Sequence, residues 1–260
     1  MNRLVPAKWA RASAQENAEV IPRLHLPAPG AKLRRRLARA AAAVLALFVV
    51  VVAASIVYVL TLPGVGGAQA RVDDILALHH GVAAATPPPR KLSTALVDVE
   101  DEHFYSNVFV NVLDGAGRAA VAALQTSQDP GGSTIPQQLA KQLYGERGTL
   151  AEIGLAIKLS LRYSHTEILS MYLNAVYYGN GYWGDVAAAR GYFGKDPQAL
   201  DWGQAALLAG LPQAPSAYDP LVHYALAKAR QRHALDQLVV NHALTEAQAD
   251  AAYRQPLGLR

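Results

Sequence analysis

The sequence predicts a mainly α-helical domain preceded by a single transmembrane helix. A long stretch without charged residues lies near the N-terminus, and beyond it apolar residues recur at steps of three and four through residues 151–161, 167–176 and 200–211. That spacing is typical of amphipathic helices, and neither strand-like alternation nor a strand–helix–strand rhythm competes with it. With 260 residues, 52% of them hydrophobic, the chain can form a sizeable core in addition to a membrane segment.

The N-terminal part divides into a tail and an apolar stretch. Residues 1–39 mix proline, alanine and charged residues with little periodicity, which predicts a largely disordered tail. Residues 40–62 carry no charge, and as a helix they would extend ~34 Å, enough to cross a ~30 Å hydrocarbon layer. A buried core helix is the alternative, but core helices are seldom apolar on every face over such a length. We therefore expect a transmembrane helix over residues 40–62.

The charges on either side of this stretch predict its orientation. The basic residues directly before it are Lys32, Arg34, Arg35, Arg36 and Arg39. After it, the first charge is Arg71, soon followed by acidic residues. The positive-inside rule then places residues 1–39 in the cytoplasm and the C-terminal part on the periplasmic or extracellular side. A cleaved signal peptide fits less well, because such segments are shorter and lie at the N-terminus itself.

A linker is predicted over residues 63–90 and a helical domain over residues 91–260. The proline- and glycine-rich residues 63–67 end the apolar stretch, and a short helix over 70–80 would carry Val72, Ile75 and Leu76 on one face. Three consecutive prolines at 87–89 follow as a stiff spacer. No serine has a lysine three positions later, as a penicillin-binding transpeptidase requires, so we expect a single catalytic activity.

Composition excludes some partners. The net charge of +4 is modest, and the basic cluster before the apolar stretch is typical of a topology signal next to anionic lipid. No aromatic residues are interleaved with basic ones, so we expect no nucleic-acid partner. The chain contains no cysteine, which removes disulfides from its stability without indicating a compartment.

The most informative motif is Gly-Gly-Ser-Thr-Ile-Pro-Gln-Gln-Leu-Ala-Lys at residues 131–141. Its glycines free the backbone, and Thr134 with Gln137 three residues later fits the capping box of a helix start. Such a start, with Lys141 one turn further on, can bind a phosphate or diphosphate. An ordinary capped helix with a solvated lysine would show the same short pattern.

The chain resembles the bacterial peptidoglycan glycosyltransferases, which polymerise glycan strands from lipid II. The resemblance covers roughly residues 91–238 and includes, besides residues 131–141, four further segments in the family's order. These are Glu-Asp-Glu-His-Phe at 100–104, Glu152, Glu-Ile-Leu-Ser-Met-Tyr-Leu-Asn at 167–174, and residues 183–220. The resemblance implies a lysozyme-like α fold and a monofunctional, inverting hexosyltransferase.

Two glutamates are the expected catalytic residues. The resemblance implies that Glu100 is the base that takes the proton from the 4-hydroxyl of the incoming GlcNAc, with Phe104 as a nearby apolar wall. It implies that Glu152 lies near the donor diphosphate and can help to bind a divalent cation. A solvated acidic helix end at residues 100–102 and an exposed salt-bridging Glu152 are the structural alternatives.

Other residues are expected to bind the substrate. Lys141 would offset the diphosphate charge, and Arg147 would supply a cation beside it. The remaining expected substrate-binding residues are Asp101, Ser133, Thr134, Gln137 and Gln138. Tyr172 and Asn174 are expected to hold helices together rather than to touch substrate.

The sequence also departs from the family's pattern. Asn107 and Phe109 replace a histidine and a glycine, Gly148-Thr149 replaces an arginine–lysine pair, His165 replaces a lysine, and Gln142 replaces an asparagine. Several of these changes remove cations from the donor side. The apolar stretch at 108–124 corresponds to a lobe that, in the family, enters the membrane surface, although plain core would have the same composition.

The resemblance implies a single-pass protein of the cytoplasmic (inner) membrane that extends a lipid-linked glycan chain and releases undecaprenyl diphosphate. Its partners would be lipid II, the growing glycan chain, the membrane and other cell-wall synthases. Mg²⁺ or Mn²⁺ is compatible with this reaction, the metal ligands are unknown, and no organic cofactor is expected. The alternatives are a degenerate member that acts as a lipid II-binding or synthase-binding scaffold, and a glycan-cleaving lytic enzyme, against which the retained 131–141 motif argues.

Overall fold

The computed structural model describes residues 30–84, 87–106, 133–145 and 147–260. The chain divides into two compact units, Met1–Ser55 and Ile56–Arg260. Within the described ranges the secondary structure is helical apart from one isolated antiparallel bridge between Tyr177 and Trp183. The prediction of a mainly α fold is therefore confirmed.

The first helix, α1, spans Ala31–Thr61. Its segment Lys32–Thr61 contains an 18-residue stretch with a mean hydropathy of 3.0, none of which is buried by the protein, so the helix is long and apolar enough to cross a membrane. The hydroxyl of Ser55 donates to the Val51 carbonyl at 2.9 Å, and the hydroxyl of Thr61 donates to the Tyr58 carbonyl at 2.6 Å. These polar groups are thus satisfied within the helix, as an apolar solvent requires. The helix begins at Ala31, before the predicted start at residue 40, because residues 32–39 with their basic side chains are also helical.

The second unit contains the remaining described helices. They are α2 Ala68–Leu78, α3 Arg90–Glu100, α4 Ile135–Tyr144, α5 Thr149–Arg162, α6 His165–Ala175, α7 Asp185–Phe193, α8 Trp202–Gly210, α9 Tyr224–Val240 and α10 Glu246–Arg254, with a 3₁₀ turn at Pro197–Ala199. Helix α8 is buried from Gly203 to Gly210 and forms the centre of one group of helices with α3, α9 and α10. A second group consists of α2, α4, α5 and α6, and α7 connects the two groups through contacts with α6 and α8.

Four helices of this unit begin with a capping box. The paired residues are Thr134 with Gln137 in α4, Ser164 with Glu167 in α6, Asp201 with Gln204 in α8, and Thr245 with Gln248 in α10. Such caps satisfy backbone N–H groups that the helix itself leaves without partners. The box predicted for residues 134–137 is confirmed, with the Thr134 N–H donating to Gln137 Oε1 at 2.9 Å.

Residues 63–84 contribute to the core of the second unit. Helix α2 covers nearly the residues predicted for it, and its Val72 and Leu76 are buried against the second group. Arg71 donates to the Leu143 carbonyl at 3.3 Å and lies 4.7 Å above the Tyr144 ring. The segment that the sequence suggests as a linker thus provides a packed helix.

Some sequence predictions lie outside the described residues. They concern the apolar stretch at 108–124, the substitutions Asn107 and Phe109, and the glycine pair 131–132.

Candidate active site

Glu100 is the last residue of α3, where the two helix groups meet. Leu92 and Leu96 on the same helix are fully buried and fix its axis against α8 and α9. The Glu100 side chain is 11% exposed, so its carboxylate is largely removed from water. A buried carboxylate must be paired or hydrogen-bonded to remain ionised.

Both oxygens of this carboxylate are held by residues from other helices. Gln138 Nε2 in α4 donates to Glu100 Oε2 at 2.9 Å. Arg230 in α9 donates from a terminal guanidinium nitrogen to Glu100 Oε1 at 3.3 Å, and its side chain is 13% exposed. An ion pair this far from water is screened much less than one at the surface. The charge of Glu100 is therefore stabilised from both helix groups at once.

Tyr172 determines which end of the Gln138 amide faces Glu100. Its hydroxyl donates to Gln138 Oε1 at 2.7 Å, which leaves the NH₂ end of the amide to donate to Glu100. Burial, followed by the negative charge of Glu100, raises the pKa of Tyr172 well above its usual value. Tyr172 therefore keeps its proton and remains a donor. These contacts agree with the expectation that Tyr172 holds helices together.

Arg230 is itself fixed by the first group of helices. Its Nε donates to the Gly210 carbonyl at 3.1 Å, and its guanidinium lies 5.9 Å from the centre of the Tyr218 ring. A Cβ atom at position 210 would lie 2.6 Å from Arg230 Cγ, closer than real Cβ contacts allow. Gly210 thus leaves the space that the arginine side chain needs.

Asp101 joins the end of α3 to the start of α4. It is fully buried, and its Oδ2 accepts a hydrogen bond from the Ile135 backbone N–H at 3.0 Å. Ile135 is the first residue of α4, so the carboxylate binds a backbone donor and interacts favourably with the helix dipole. The sequence indicated Asp101 as a substrate-binding residue, and the structure gives it a capping role.

The other polar residues of the 131–141 motif differ in exposure. Ser133 is exposed, whereas Thr134 and Gln137 are buried in the capping box. Because the Gln137 carbonyl oxygen is bound to the Thr134 backbone, its described contact is structural rather than one with substrate. Of the two adjacent amides, Gln138 is the one that reaches the carboxylate.

Lys141, Arg147 and Glu152 lie further along, at the end of α4 and the start of α5. Lys141 and Arg147 are exposed, and Arg147 Nε donates to the Tyr144 carbonyl at 2.8 Å. Glu152 is half-buried in the first turn of α5, and within the described ranges it forms no hydrogen bond or ion pair. The structure thus groups Glu100, Asp101 and Gln138 closely. It places Lys141 in the last turn of α4, Arg147 in the connection that follows, and Glu152 in the first turn of α5.

An aromatic cluster lies next to the end of α3. Phe104 is 1% exposed, and its ring packs edge-on against His165 with 5.2 Å between ring centres. Tyr105 packs edge-on against both rings. His165 therefore contacts aromatic residues at the start of α6.

The described residues do not form a metal site. Among them, no three His, Asp or Glu side chains lie close enough together to hold an ion. A single carboxylate such as Glu152 supplies few of the oxygen ligands that Mg²⁺ or Mn²⁺ needs.

Arg230 is a site residue that the sequence did not indicate. The helical spacing of its neighbours could have indicated it. The buried face of α9 includes Ala227, Gln231, Ala234 and Leu238. Arg230 lies three residues after Ala227 and four before Ala234, which places a cation at the edge of that face. A cation at such a position needs a buried partner.

Comparisons with known proteins show the family of the chain. The family model described as Transglycosylase matches residues 75–239. A protein of Cupriavidus necator named as a transglycosylase is 33% identical over 227 residues, which cover 80% of this chain and 98% of that protein. Penicillin-binding protein 1A of Neisseria gonorrhoeae is 38% identical over 175 residues, covering 65% of this chain but 22% of that much longer protein.

A solved structure, that of penicillin-binding protein 1A from Haemophilus influenzae, matches 48% of this chain and 16% of its own length at 28% identity, with a TM-score of 0.36. This overlap is too partial to support an argument about the fold. The family model and the Cupriavidus relative are enough to assign the family, since each covers most of the chain. The chain belongs to the transglycosylase family, and its helical domain is that of a peptidoglycan glycosyltransferase.

Proposed function

We propose that this protein polymerises lipid II into glycan strands and releases undecaprenyl diphosphate. The observation that carries the proposal is the Glu100 carboxylate, which is largely buried, accepts a hydrogen bond from Gln138 and pairs with Arg230. A general base needs a fixed position and an available charge, and these two contacts supply both.

Glu100 acts as the base in this reaction. The carboxylate takes the proton of the 4-hydroxyl of the incoming GlcNAc while that oxygen attacks the anomeric carbon of the lipid-linked chain. The new C–O bond forms as the bond to the diphosphate oxygen breaks, and attack from the opposite face inverts the anomeric centre. Each carboxylate oxygen has two lone pairs, so each can accept the substrate proton while it stays bound to Gln138 or Arg230.

The leaving diphosphate is stabilised by the exposed cations near the end of α4. Lys141 lies in the last turn of α4, and Arg147 lies in the connection between α4 and α5. A charge-assisted hydrogen bond to a phosphate oxygen contributes about 1.5–3 kcal/mol. Ser133, exposed at the start of the same helix, is available to bind the substrate.

The proposed location follows from α1. The basic residues before the apolar part of this helix favour a cytoplasmic N-terminus, so the second unit lies on the outer side of the inner membrane. A lipid-linked substrate is present at that surface, because its chain stays in the bilayer.

Polymerisation of lipid II by the purified full chain in detergent tests the proposal. We expect Glu100→Gln to lower the rate by about 10²–10⁴-fold, the usual contribution of a general base, because the amide keeps the shape of the side chain and loses the proton-accepting charge. The matched control is Glu102→Gln. Glu102 is two residues away with its side chain 53% exposed, and the variant should keep the parental rate. Equal polymer from Glu100→Gln and the parent would remove Glu100 from the mechanism.

A second candidate function is a scaffold that binds lipid II or partner synthases without turnover. Gly148-Thr149 at the start of α5 and His165 at the start of α6 stand where the family has cations, and this loss on the donor side favours it. Saturable lipid II binding by the parent without chain growth, unchanged in Glu100→Gln, would support the scaffold. Chain growth by the parent would exclude it.

A further inference from the structure

The connection between α6 and α7 contains a tight two-residue turn. The Tyr182 backbone N–H donates to the Gly179 carbonyl at 2.8 Å, and Asn180 and Gly181 lie between them. Both central residues have a positive φ, 49° at Asn180 and 79° at Gly181, as a type I′ turn requires. Asn-Gly is the sequence that this turn prefers, because both residues adopt the left-handed conformation at low cost.

The tip of this turn is open to solvent. Asn180 and Gly181 are both exposed, and a Cβ atom at Gly181 would have no other atom within 4 Å. The side-chain amide carbon of Asn180 and the backbone nitrogen of Gly181 belong to adjacent residues, so they can close a five-membered ring. Ring closure within one chain avoids the entropy cost of bringing two molecules together, and glycine has no side chain to hinder it.

We propose that Asn180 is a site of spontaneous deamidation. The Gly181 backbone nitrogen attacks the side-chain amide carbon of Asn180, and the new C–N bond closes a succinimide ring. The bond from that carbon to the side-chain nitrogen breaks, and ammonia leaves with the proton that Gly181 gives up. Water then opens the ring at either carbonyl group, which leaves aspartate or isoaspartate at position 180. The reaction needs no partner except water.

Two tyrosine hydroxyls restrain the reacting groups. The Gly181 N–H donates to the Tyr177 hydroxyl at 3.1 Å, and Asn180 Nδ2 donates to the Tyr182 hydroxyl at 3.2 Å. The Gly181 nitrogen can attack only after it leaves the first bond, and the Asn180 amide can rotate toward it only after leaving the second. Both bonds are exposed and neutral, so each contributes modestly. The hydroxyls therefore slow the reaction without preventing it.

The other asparagines of the described ranges are less reactive. Asn174 is buried, its Oδ1 accepts from the Ala84 N–H at 2.8 Å, and its Nδ2 donates to the Ser170 carbonyl at 2.8 Å. Its amide is therefore fixed on both sides. Asn241 precedes His242, whose side chain hinders attack by the following nitrogen. Both residues provide references within the same protein.

Deamidation changes the turn and what it contacts. Aspartate adds a negative charge to residues 168–184, which carry no charged side chain, and isoaspartate lengthens the main chain by one methylene. The added length disturbs the adjoining backbone pair, in which the Tyr178 N–H donates to the Tyr182 carbonyl at 2.9 Å. Beside this pair, Trp183 stacks on His79 with 4.1 Å between ring centres. The modification therefore acts on the contact between this turn and the end of α2.

Peptide mapping by mass spectrometry tests the inference on the purified full chain in detergent, incubated at neutral and at mildly alkaline pH. We expect the peptide with Asn180 to gain steadily the mass that accompanies replacement of NH₂ by OH. The gain should be faster at the higher pH, because the attacking nitrogen of Gly181 must lose its proton. Peptides with Asn174 and Asn241 should stay unmodified over the same time. Enzymatic methylation of isoaspartate identifies that product.

Tyr177→Phe tests the restraint, since it removes the hydroxyl that holds Gly181 and keeps the ring. Deamidation of Asn180 should become about two- to tenfold faster, the effect of one ordinary hydrogen bond on a rate. In guanidinium, where both chains are unfolded, the parent and this variant should react equally. The matched control is Tyr224→Phe, which removes the hydroxyl of a tyrosine that is 51% exposed in α9 and should leave the rate at Asn180 unchanged.

Two results would overturn the inference. The first is modification at Asn180 that does not exceed the modification at Asn241 after the same incubation. The second is an equal rate for the folded parent and folded Tyr177→Phe, which would show that the hydroxyl does not restrain the Gly181 nitrogen. Neither readout depends on polymerisation, so both remain valid if the proposed function fails.

Discussion

At the scale of single residues, the carboxylate of Glu100 is the centre of a short hydrogen-bonded chain. Tyr172 orients Gln138, Gln138 donates to one oxygen of Glu100, and Arg230 pairs with the other. Of these four hydrogen-bonded residues, only Glu100 needs to contact the sugar. Gln138 and Tyr172 control orientation, whereas Arg230 supplies charge.

Replacing Arg230 tests the contribution of charge. Without the guanidinium, the neutral form of Glu100 becomes relatively more stable, so the acidic limb of the pH–rate profile should move to higher pH in Arg230→Gln. The rate should fall most at acidic pH and recover as the pH is raised. Polymerisation rates between pH 5 and 9 measure this shift.

The control for this prediction is Arg230→Lys, which keeps the charge and should keep the position of the acidic limb. A merely structural role would lower the rate equally at every pH. An unmoved profile in Arg230→Gln would therefore contradict the assigned role.

Asp185 is another buried carboxylate, and it has no part in the hydrogen-bonded contacts around Glu100. It is the first residue of α7 and is fully buried. Burial raises its pKa to about 7, and backbone N–H groups at the start of α7 offset only part of this effect. Burial, followed by the negative charge of Asp185, also raises the pKa of Tyr178 well above its usual value.

This carboxylate should make stability depend on pH. Because the folded protein binds the Asp185 proton more tightly than the unfolded chain does, the contribution is fully present below about pH 4 and is lost as the pH rises to about 7. The free energy of unfolding should fall by roughly 4 kcal/mol at most across this range. In Asp185→Asn this part of the slope should disappear, so that the variant gains on the parent between pH 5 and pH 8. Thermal unfolding in detergent at several pH values measures the difference, and parallel curves for the two proteins would refute it.

At the scale of helices, the site depends on the junction between α3 and α4. Asp101 ends α3 and caps the first turn of α4, and Gln138 lies one turn into α4. The cap therefore sets the distance between the glutamate on one helix and the amide on the other.

Replacing Asp101 should affect both stability and activity. Loss of a helix cap costs about 1–2 kcal/mol, and in Asp101→Ala the start of α4 should also shift away from Glu100, with a loss of polymerisation of at least tenfold. The control is Asp201→Ala, which removes the cap of another α-helix, α8, since Asp201 Oδ1 accepts from the Gln204 N–H at 2.9 Å. That variant should lose a similar amount of stability and keep its activity. Full activity in Asp101→Ala would show that the junction does not position the base.

The helices also show what the sequence can predict. The capping box at 134–137 and the helical stretches near 151–161, 167–176 and 200–211 depend on residues within a few positions of one another, and they were predictable. The pair of Glu100 and Arg230 joins residues 130 positions apart, and no local pattern encodes that distance. The buried roles of Asp101 and Gln137 were missed for a related reason. A polar residue in a family motif suggests contact with a ligand. Only the packing of α3 against the start of α4 shows that these side chains accept hydrogen bonds from backbone N–H groups instead.

At the scale of the whole molecule, the described part of the second unit consists of two helix groups with the site between them. Glu100 and Arg230 belong to the group around α8, and Gln138 and Tyr172 belong to the group that includes α2. Helix α2 stabilises the second group through Val72 and Leu76, although the sequence suggested that it lies in a linker.

Shortening the chain tests the importance of α2. A chain that begins at residue 56 keeps the second unit and should unfold at nearly the parental temperature. A chain that begins at residue 82 lacks α2 and with it two buried side chains worth about 1.5–3 kcal/mol each, a large fraction of the 5–15 kcal/mol typical of a domain. Circular dichroism during heating in detergent should show a much lower transition temperature, or none. Equal transition temperatures for the two shortened chains would mean that α2 is dispensable.

The seam between the two helix groups also has a pharmacological consequence. Glu100 and the Gln138 amide that orients it come from different helix groups. A small molecule that binds between the groups and separates them would therefore inhibit the enzyme without occupying its sugar-binding surface. Such an inhibitor need not imitate a glycan or a pyrophosphate, and raising the amount of substrate would not displace it.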